Sequence, residues 1–206
     1  MMYRNARLTA LCRGGTLWLA LMGTSPAPAM AQAVPSAAVV LPADSLYRLS
    51  IALTDAQGRH FNWHDLAGRP TLATMFYGDC NTACPLVLKN LQQTIAALKL
   101  PAGRLAVTMI SLDPLHDTPA SLNNLAQSHH LDQAVFRLAL AADDSHTPTL
   151  AAVMNIKYRL LAGGEISHTT RVLLLDANGH IIASNAALGI EPDPEFLKQI
   201  RSSVTP

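Results

Sequence analysis

The chain has 206 residues, of which 15 are Lys or Arg and 14 are Asp or Glu, and half of its residues are hydrophobic. This nearly neutral balance argues against a nucleic-acid-binding protein, because such proteins carry a strongly basic surface. The length is sufficient for one domain of ordinary size with a buried hydrophobic core.

Residues 1–31 have the pattern of a signal peptide. Three arginines precede a short apolar region, GGTLWLALMG at 14–23, and Ala29-Met30-Ala31 forms an A-x-A cleavage site before Gln32. The apolar run is shorter than the ~20 residues that cross a bilayer comfortably. We therefore predict an exported, periplasmic protein, with an uncleaved N-terminal anchor in the inner membrane as the alternative. Removing the three leader arginines from the 15 basic residues leaves 12 against 14 acidic residues, a net charge of −2.

The first half of the mature chain alternates between predicted strands and helices. Residues 32–45 are rich in Ala, Pro and Val and are predicted to be a linker, and the domain is predicted to occupy residues 46–206. Alternation at 47–53 predicts an N-terminal strand, and apolar runs predict strands at 71–77, 105–112 and 135–141. After Cys84-Pro85, apolar residues recur in steps of three and four, which predicts an amphipathic helix.

The second half adds three helices and a hairpin. Thr118-Pro119 and Thr147-Pro148 each have the pattern of a helix N-cap followed by proline, and we predict helices to about residues 129 and 155. Strands at 169–175 and 180–185 flank Asp176-Ala-Asn-Gly179, a hairpin signal. A final helix is predicted at 195–204.

This order of elements predicts an α/β protein. Alternating strands and helices form a central mixed β-sheet flanked by helices. Because two cysteines lie where the first core strand passes into a helix, we expect a thioredoxin-like fold, with an added N-terminal strand or hairpin and a β-hairpin near the C-terminus. In open α/β sheets the chemistry lies at the carboxyl ends of the strands. Cys80 and Cys84 lie at such an end.

Cys80 and Cys84, in CNTACP, are the only cysteines outside the predicted signal peptide. A helix N-terminus favours the thiolate, which is both a nucleophile and a metal ligand. The C-x-x-x-C spacing is one residue longer than the C-x-x-C of thioredoxin-type enzymes. In an oxidising compartment the pair is a static disulfide, a redox couple or part of a metal site. The position before a helix favours the last two.

A metal site needs a nitrogen ligand in addition to the two sulfurs. Soft thiolates favour Cu(I), and imidazole suits copper well. The best-placed histidine is His168, just before the strand that enters the Asn-Gly hairpin. His116 is a candidate for a transient ligand at most. The full set of candidates is His116, His129, His130, His146 and His168.

Three segments resemble the Sco/SenC family in the same order and spacing, over about residues 46–204. They are CNTACP, SLDPLHDTP and ISHTTRVLLLDANG. The resemblance implies a thioredoxin-like protein that carries copper, as Cu(I) or Cu(II), to the CuA centre of cytochrome c oxidase. By position, Cys80, Cys84 and His168 would be the copper ligands, and the two cysteines also a redox pair. Ser167 replaces the usual aspartate, and Gly78-Asp79 stands where an aromatic or Thr-x dipeptide is common.

Two functions therefore compete. The first is a metallochaperone that delivers copper to a subunit of cytochrome c oxidase or to another cuproprotein. The alternative is a periplasmic thiol–disulfide oxidoreductase that keeps copper-site cysteines reduced, with Cys80 attacking and Cys84 resolving. Other copper chaperones and thiol–disulfide oxidoreductases are the further partners expected. A peroxidase is less favoured, because Asp79 directly precedes Cys80 and a carboxylate disfavours a thiolate.

Overall fold

A seven-stranded mixed sheet forms the centre of the computed structural model, which describes residues 41–80, 83–186 and 189–204. Its strands in chain order are β1 (Ala52–Asp55), β2 (His60–Asn62), β3 (Thr71–Phe76), β4 (Ala106–Ser111), β5 (Phe136–Ala141), β8 (Val172–Leu175) and β9 (Ile181–Asn185). The spatial order is β2-β1-β5-β4-β3-β8-β9. The strands β6 (Tyr158–Leu160) and β7 (Ile166–His168) form a separate antiparallel pair.

Four α-helices accompany the sheet. They are α1 (Ala83–Leu98), α2 (Pro119–Ser128), α3 (His146–Val153) and α4 (Pro194–Val204), and two short 3-10 helices lie at Leu46–Arg48 and Trp63–Leu66. None of the helices in the described part of the chain has the length and continuous apolar character that crossing a bilayer requires. The predicted signal peptide at 1–31 and most of the predicted linker at 32–45 lie outside the described residues.

The strands at the centre of the sheet are parallel and buried. Strands β3, β4 and β5 run parallel, and every residue of β3 and β4 is buried. Strands buried on both faces read as continuous apolar runs, which explains why 71–77 and 105–112 could be recognised from the sequence. Strand β8 pairs antiparallel with β3 on its other side. The predicted central mixed sheet flanked by helices is confirmed.

The N-terminal part of the domain differs from the prediction. Residues 47–53 are not one strand, because Leu46–Arg48 form a 3-10 turn and β1 begins only at Ala52. Burial explains the difference: Tyr47 is fully buried and packs edge-on against Trp63, with ring centroids 5.9 Å apart. Strand β1 then pairs with β2, which supplies the expected N-terminal hairpin.

The helix starts were predicted with mixed success. Thr118 caps α2 as expected, accepting a hydrogen bond from the Ser121 amide, and proline follows at the first helical position. Thr147 does not cap α3, which begins one residue earlier, at His146. No side chain caps this helix, and the Asp143 carboxylate accepts the Ser145 amide at 2.9 Å in the turn just before it.

The C-terminal hairpin forms as predicted, with its turn at Asn178-Gly179 between β8 and β9. Gly179 has φ of +87°, and a Cβ atom there would also collide with the Tyr47 ring. Glycine is the residue that accepts this conformation without strain. The β6–β7 pair, by contrast, was not predicted, and it carries one of the site residues.

Candidate metal centre

The two cysteines lie where β3 passes into α1. The strand ends at Phe76, the chain leaves the sheet through Tyr77 to Cys80, and Cys84 lies in the first turn of α1. Both cysteines are buried, with 7% and 4% of their surface exposed. This is the carboxyl end of a central parallel strand, the position that the sequence predicted.

His168 reaches the cysteines through the pairing of β8 with β3. It ends β7, and only three residues separate it from β8. The antiparallel pairing of β8 places these residues at the carboxyl end of β3, and the Thr74 hydroxyl fixes them there by donating to the Arg171 carbonyl at 2.7 Å. The topology therefore joins positions 84 residues apart in the chain.

The sulfur atoms of Cys80 and Cys84 and a ring nitrogen of His168 all lie within 4.8 Å of one another. The His168 Nε2 atom is 4.0 Å from the Cys84 sulfur, and the two cysteines are not joined in a disulfide. Ligands bound to one ion at about 2.0–2.3 Å lie less than about 4.6 Å apart. The three side chains thus need only small adjustments to share an ion. Within the described ranges, no other group of three His, Cys, Asp or Glu side chains converges in this way.

The His168 imidazole has the protonation state and the orientation that a metal ligand needs. Burial lowers the pKa of His168, so its ring is neutral at neutral pH. The Nδ1 atom lies 3.3 Å from the Thr169 carbonyl, an acceptor, which assigns the ring proton to Nδ1. The lone pair of Nε2 is then directed towards Cys84, and a hydrogen bond on the other nitrogen is the usual way of orienting a metal-binding histidine.

The N-terminus of α1 affects the two cysteines differently. The Cys84 amide donates to the Cys80 sulfur at 3.3 Å, so the helix end stabilises charge on Cys80. Burial, with a further contribution from the adjacent Cys80, raises the pKa of Cys84. The expectation that the helix would favour the thiolate therefore fails for Cys84, because desolvation outweighs the dipole.

A carboxylate network fixes the loop in front of the cysteines. The Asp117 carboxylate accepts the Gly78 amide at 3.0 Å and the Ser111 hydroxyl at 2.5 Å. The Ser111 oxygen in turn accepts the Asp113 amide at 2.9 Å. Burial raises the pKa of Asp117, although both hydrogen bonds act in the opposite direction. Asp117 thus connects the ends of β3 and β4.

The other candidate histidines are not part of the cluster. His116 is exposed and pairs with Asp113 at 2.7 Å, on the wall of a cleft of about 450 Å³. This cleft also contains Tyr77, Asp79 and Glu165, so it adjoins the cysteine loop. His146 pairs with Asp143, and His129 and His130 lie at the end of α2. Among the described residues, His168 is the histidine that lies with the two cysteines.

Comparisons with known proteins agree with the fold. The SCO1/SenC family model matches residues 46–204. A SCO1/SenC family lipoprotein from Bacillus anthracis has 20% identity and a TM-score of 0.68, covering 76% of this chain and 94% of its own. Copper-bound ScoI from Bradyrhizobium japonicum has 21% identity and a TM-score of 0.64, covering 75% and 98%.

A third similar structure is BsSco, described as a member of the Sco family of cytochrome c oxidase assembly proteins in which a disulfide switch was identified. It has 19% identity and a TM-score of 0.63, and the match covers 76% of this chain and 92% of BsSco. A search among curated proteins gave no match. At these identities the solved structures establish the thioredoxin-like Sco fold.

Proposed function

Because this chain belongs to the SCO1/SenC family, we propose that it is a copper metallochaperone whose cargo is held by Cys80, Cys84 and His168. The observation that carries the proposal is the convergence of two sulfurs and one imidazole nitrogen within 4.8 Å, at the carboxyl end of a central strand. The copper-bound state of the Bradyrhizobium relative supports the choice of metal.

The donor set favours copper over zinc. Thiolate ligands select soft ions such as Cu(I), and imidazole accepts both copper oxidation states. A structural zinc site uses four protein ligands, whereas the converged group of described residues has three members. Three donors leave a coordination position at which a partner protein can add its own ligand.

Transfer by ligand exchange needs a site that is shielded but reachable. The cysteines are buried, whereas His168 is half-buried and forms part of the walls of clefts that open to solvent. We propose that the recipient approaches from the His168 side. On binding, the Cys84 thiol gives up its proton, and the thiol regains a proton when the ion leaves.

We propose the CuA centre of cytochrome c oxidase as the recipient and the periplasm as the location. The resemblance of the three motifs to the Sco/SenC family and the description of BsSco support the first part. The leader pattern at 1–31 and the lipoprotein nature of the Bacillus relative support the second. Other cuproproteins and copper chaperones remain partners of the same chemical kind.

An anaerobic Cu(I) competition titration tests the three-ligand site. We expect one Cu(I) per reduced chain, and we expect the variant His168→Ala to lose at least about tenfold in affinity, the scale of metal-site perturbations. The matched control is His60→Ala, because His60 is not part of the cluster with the cysteines. It lies on β2, where its ring is hydrogen-bonded to the Thr54 hydroxyl at 3.0 Å. An affinity that does not depend on His168 would refute the site.

A second function shares the same cysteines. The two reduced cysteines are close enough in sequence and space to form a disulfide with each other, which supports a role as a thiol–disulfide oxidoreductase. We propose that thiol–disulfide exchange controls the chaperone. A disulfide of a partner protein is reduced to two thiols while Cys80 and Cys84 are oxidised to a disulfide, which removes two ligands. The test is to titrate the oxidised chain with copper. Retention of tight copper binding by the disulfide form would overturn the redox control.

A further inference from the structure

The β6–β7 hairpin, which carries His168, has two different faces. Residues that are paired across an antiparallel sheet project on the same side, and successive residues of a strand project on opposite sides. Tyr158 is paired with His168, and Leu160 is paired with Ile166, so these four side chains share one face. Ile166 is buried, and Tyr158 and His168 are half-buried. This face is therefore the one directed towards the domain.

The outer face of the hairpin is exposed and basic. Arg159 and Ser167 form the cross-strand pair on this face. Lys157 and Thr169 continue it, and two hydrogen bonds between them, at 2.8 and 3.0 Å, extend the pairing beyond the strands. All four residues are exposed. The outer face thus presents two cations and two hydroxyl groups to solvent, directly behind the strand that carries the histidine.

The positive charge of the outer face is not neutralised within the described part of the domain. Neither Lys157 nor Arg159 forms an ion pair with a described carboxylate. A third cation beside the hairpin, Arg171, donates to the Ser184 hydroxyl at 3.3 Å and not to a carboxylate. Beyond the predicted leader, acidic residues outnumber basic ones by 14 to 12, so this concentration of cations is a local feature.

The same cations line the clefts that lead to His168. Two clefts, of about 490 and 230 Å³, have His168 in their walls. Lys157 lines both clefts, Arg171 lines the larger and Arg159 the smaller, and neither cleft is lined by a carboxylate. A protein that approaches the histidine across the hairpin therefore meets positive charge first.

Negative charge lies on the other side of the site. The cleft of about 450 Å³ beside the cysteine loop contains Asp79, Asp113 and Glu165, and its walls include none of the three proposed ligands. Glu165 also lines a smaller cleft, of about 220 Å³, that reaches Cys80 and His168. The two sides of the site thus differ in sign. An anionic partner is repelled from the acidic side and attracted to the hairpin.

We propose that the outer face of the hairpin, together with Arg171, binds an acidic surface of the protein that receives the copper. The inference rests on the proposed function and adds the chemistry of the recipient. Opposite charges accelerate the encounter and orient the two proteins. Here they bring the recipient to His168, which is more accessible than either cysteine. No electron moves, since Cu(I) leaves as Cu(I). Each acceptor thiol releases a proton as it binds, and the cysteines that lose the ion take protons up.

A synthetic acceptor peptide tests the proposal. It contains Cys-Ala-Ala-Ala-Cys with three aspartates on each side, and a second peptide has lysines in place of the aspartates. We measure transfer of Cu(I) from the loaded chain by stopped flow. In the double variant Lys157→Gln with Arg159→Gln, we expect transfer to the aspartate peptide to slow about tenfold at low salt. The loss should disappear near ~1 M salt, where the screening length is about 3 Å. Transfer to the lysine peptide should not slow.

The control variant removes the same charge elsewhere. Lys99→Gln with Lys198→Gln changes two exposed lysines. Lys99 follows the end of α1, about 20 Å along the helix axis from Cys84. Helix α4, which carries Lys198, is attached near that end by Arg201, which donates to the Ala97 carbonyl at 3.1 Å. We expect this variant to transfer copper to the aspartate peptide at the rate of the unsubstituted chain.

A second variant leaves both cations in place. Ser167→Asp puts a carboxylate directly opposite Arg159 on the outer face. Opposite charges at paired positions attract, so the new carboxylate should neutralise Arg159 and slow transfer to the aspartate peptide in the same salt-dependent way. The equilibrium affinity for Cu(I) is measured for every variant. A fall in rate that only follows a fall in affinity would overturn the role of the surface in the encounter.

A copper-free measurement separates this inference from the proposed function. The aspartate peptide with serine in place of both cysteines is added to the reduced, metal-free chain. We expect the backbone amide signals of Lys157 and Arg159 to move in NMR spectra at low salt and to stay in place near ~1 M salt. If the unsubstituted chain binds no copper, the metallochaperone proposal fails, and this titration still decides whether the hairpin binds an acidic segment.

Three outcomes would overturn the proposed surface. The first is a transfer rate that does not depend on the two cations, and the second is a set of amide signals that the peptide does not move. The third concerns lipids, because a basic surface also attracts anionic membranes. If Lys157 and Arg159 are required for binding to vesicles of phosphatidylglycerol and phosphatidylcholine, but not for binding to the peptide, the hairpin is a membrane contact and not a docking surface for the recipient.

Discussion

Gly78 and Asp117 fit together so closely that the glycine has no room for a side chain. The Gly78 amide donates to one Asp117 oxygen at 3.0 Å, and a Cβ atom at Gly78 would fall well inside the contact distance of the other. Asp117 is 8% exposed and is also held by Ser111, so it has little freedom to retreat. The pair fixes the loop that ends at Cys80.

Substitution Gly78→Ala should therefore destabilise the protein and disturb the site together. We expect the free energy of unfolding to fall by about 1–3 kcal/mol, the range for an added methyl group in a packed region, with a parallel loss of Cu(I) affinity. Urea denaturation measures the first effect. Gly189→Ala is the control, since its Cβ would meet only an ordinary contact at 3.9 Å. Equal stability of the two variants would contradict the argument.

Two equally buried threonines on adjacent strands differ in their hydrogen bonding. Thr74 donates to the Arg171 carbonyl, whereas the Thr108 hydroxyl has no hydrogen-bond partner among the described residues. Both side chains are 1% exposed. We expect Thr74→Val to lose about 1–3 kcal/mol, because the carbonyl is left unsatisfied, and Thr108→Val to be neutral or stabilising.

Denaturant unfolding of both valine variants checks this difference. Thr74→Val should also lower Cu(I) affinity, because the Arg171 carbonyl fixes the segment between His168 and β8. A larger loss of stability in Thr108→Val than in Thr74→Val would show that packing, and not the hydrogen bond, controls these positions.

Copper affinity should decrease as the pH falls. Burial raises the pKa of Cys84, so this thiol holds its proton at neutral pH and must release it on binding. Each proton released changes the apparent affinity by about tenfold per pH unit. Because burial lowers the pKa of His168, the imidazole adds no step near neutrality. Competition titrations at pH 6.5, 7.5 and 8.5 check this expectation, and an affinity that is constant across them would contradict it.

His180 should stabilise the fold mainly in mildly acidic solution. Its ring lies 2.9 Å from Asp176 and 3.1 Å from Asp44. Hydrogen bonding to Asp176 raises the pKa of His180 in the folded protein. The stability that protonated His180 contributes is therefore complete below its pKa in the unfolded chain, ~6.5, and is lost as the pH rises through its pKa in the folded protein. Burial tends to raise the pKa of Asp176, but the bonds from His180 and Asn178 lower it overall.

The stability that the Asp176 carboxylate contributes is therefore present above pH ~3.9, the pKa of Asp in the unfolded chain. It is lost as the pH falls through the lower pKa of Asp176 in the folded protein. Substitution His180→Gln should cost most stability between about pH 4 and 6.5 and less at pH 8.5. Urea midpoints at these pH values measure the effect, with His60→Gln as the control. A loss that grows with rising pH would reverse the assigned sign.

The sequence was most informative where local chemistry decides the structure. Predominantly apolar runs predicted β3 and β4, and the Thr118-Pro119 cap predicted α2 to within a residue. The cysteine spacing at a strand-to-helix passage placed Cys80 and Cys84 correctly. In each case the signal lies within a few neighbouring residues.

The features that the sequence missed depend on tertiary contacts. Strands β6 and β7 have three residues each, too few to establish a period, and Gly163 and Gly164 separate them. Tyr77 continues the apolar run of β3, and nothing local shows that its ring contacts the His168 ring edge-on. His168 was selected because it precedes the strand that enters the Asn-Gly hairpin, and its alignment with Cys84 follows from the β3–β8 pairing.

The separation of the ligands in the chain gives the ion a second role. Cys80 and Cys84 stay near each other in any conformation, whereas His168 joins them only after the sheet has formed. An unfolded chain therefore keeps two weaker ligands, and only the native state offers all three. The ion must favour the native state by the difference in affinity, up to ~2.7 kcal/mol at one hundred times its dissociation constant. Loss of native structure would in turn weaken the binding of the ion, so native molecules would be the ones that carry it preferentially to a recipient.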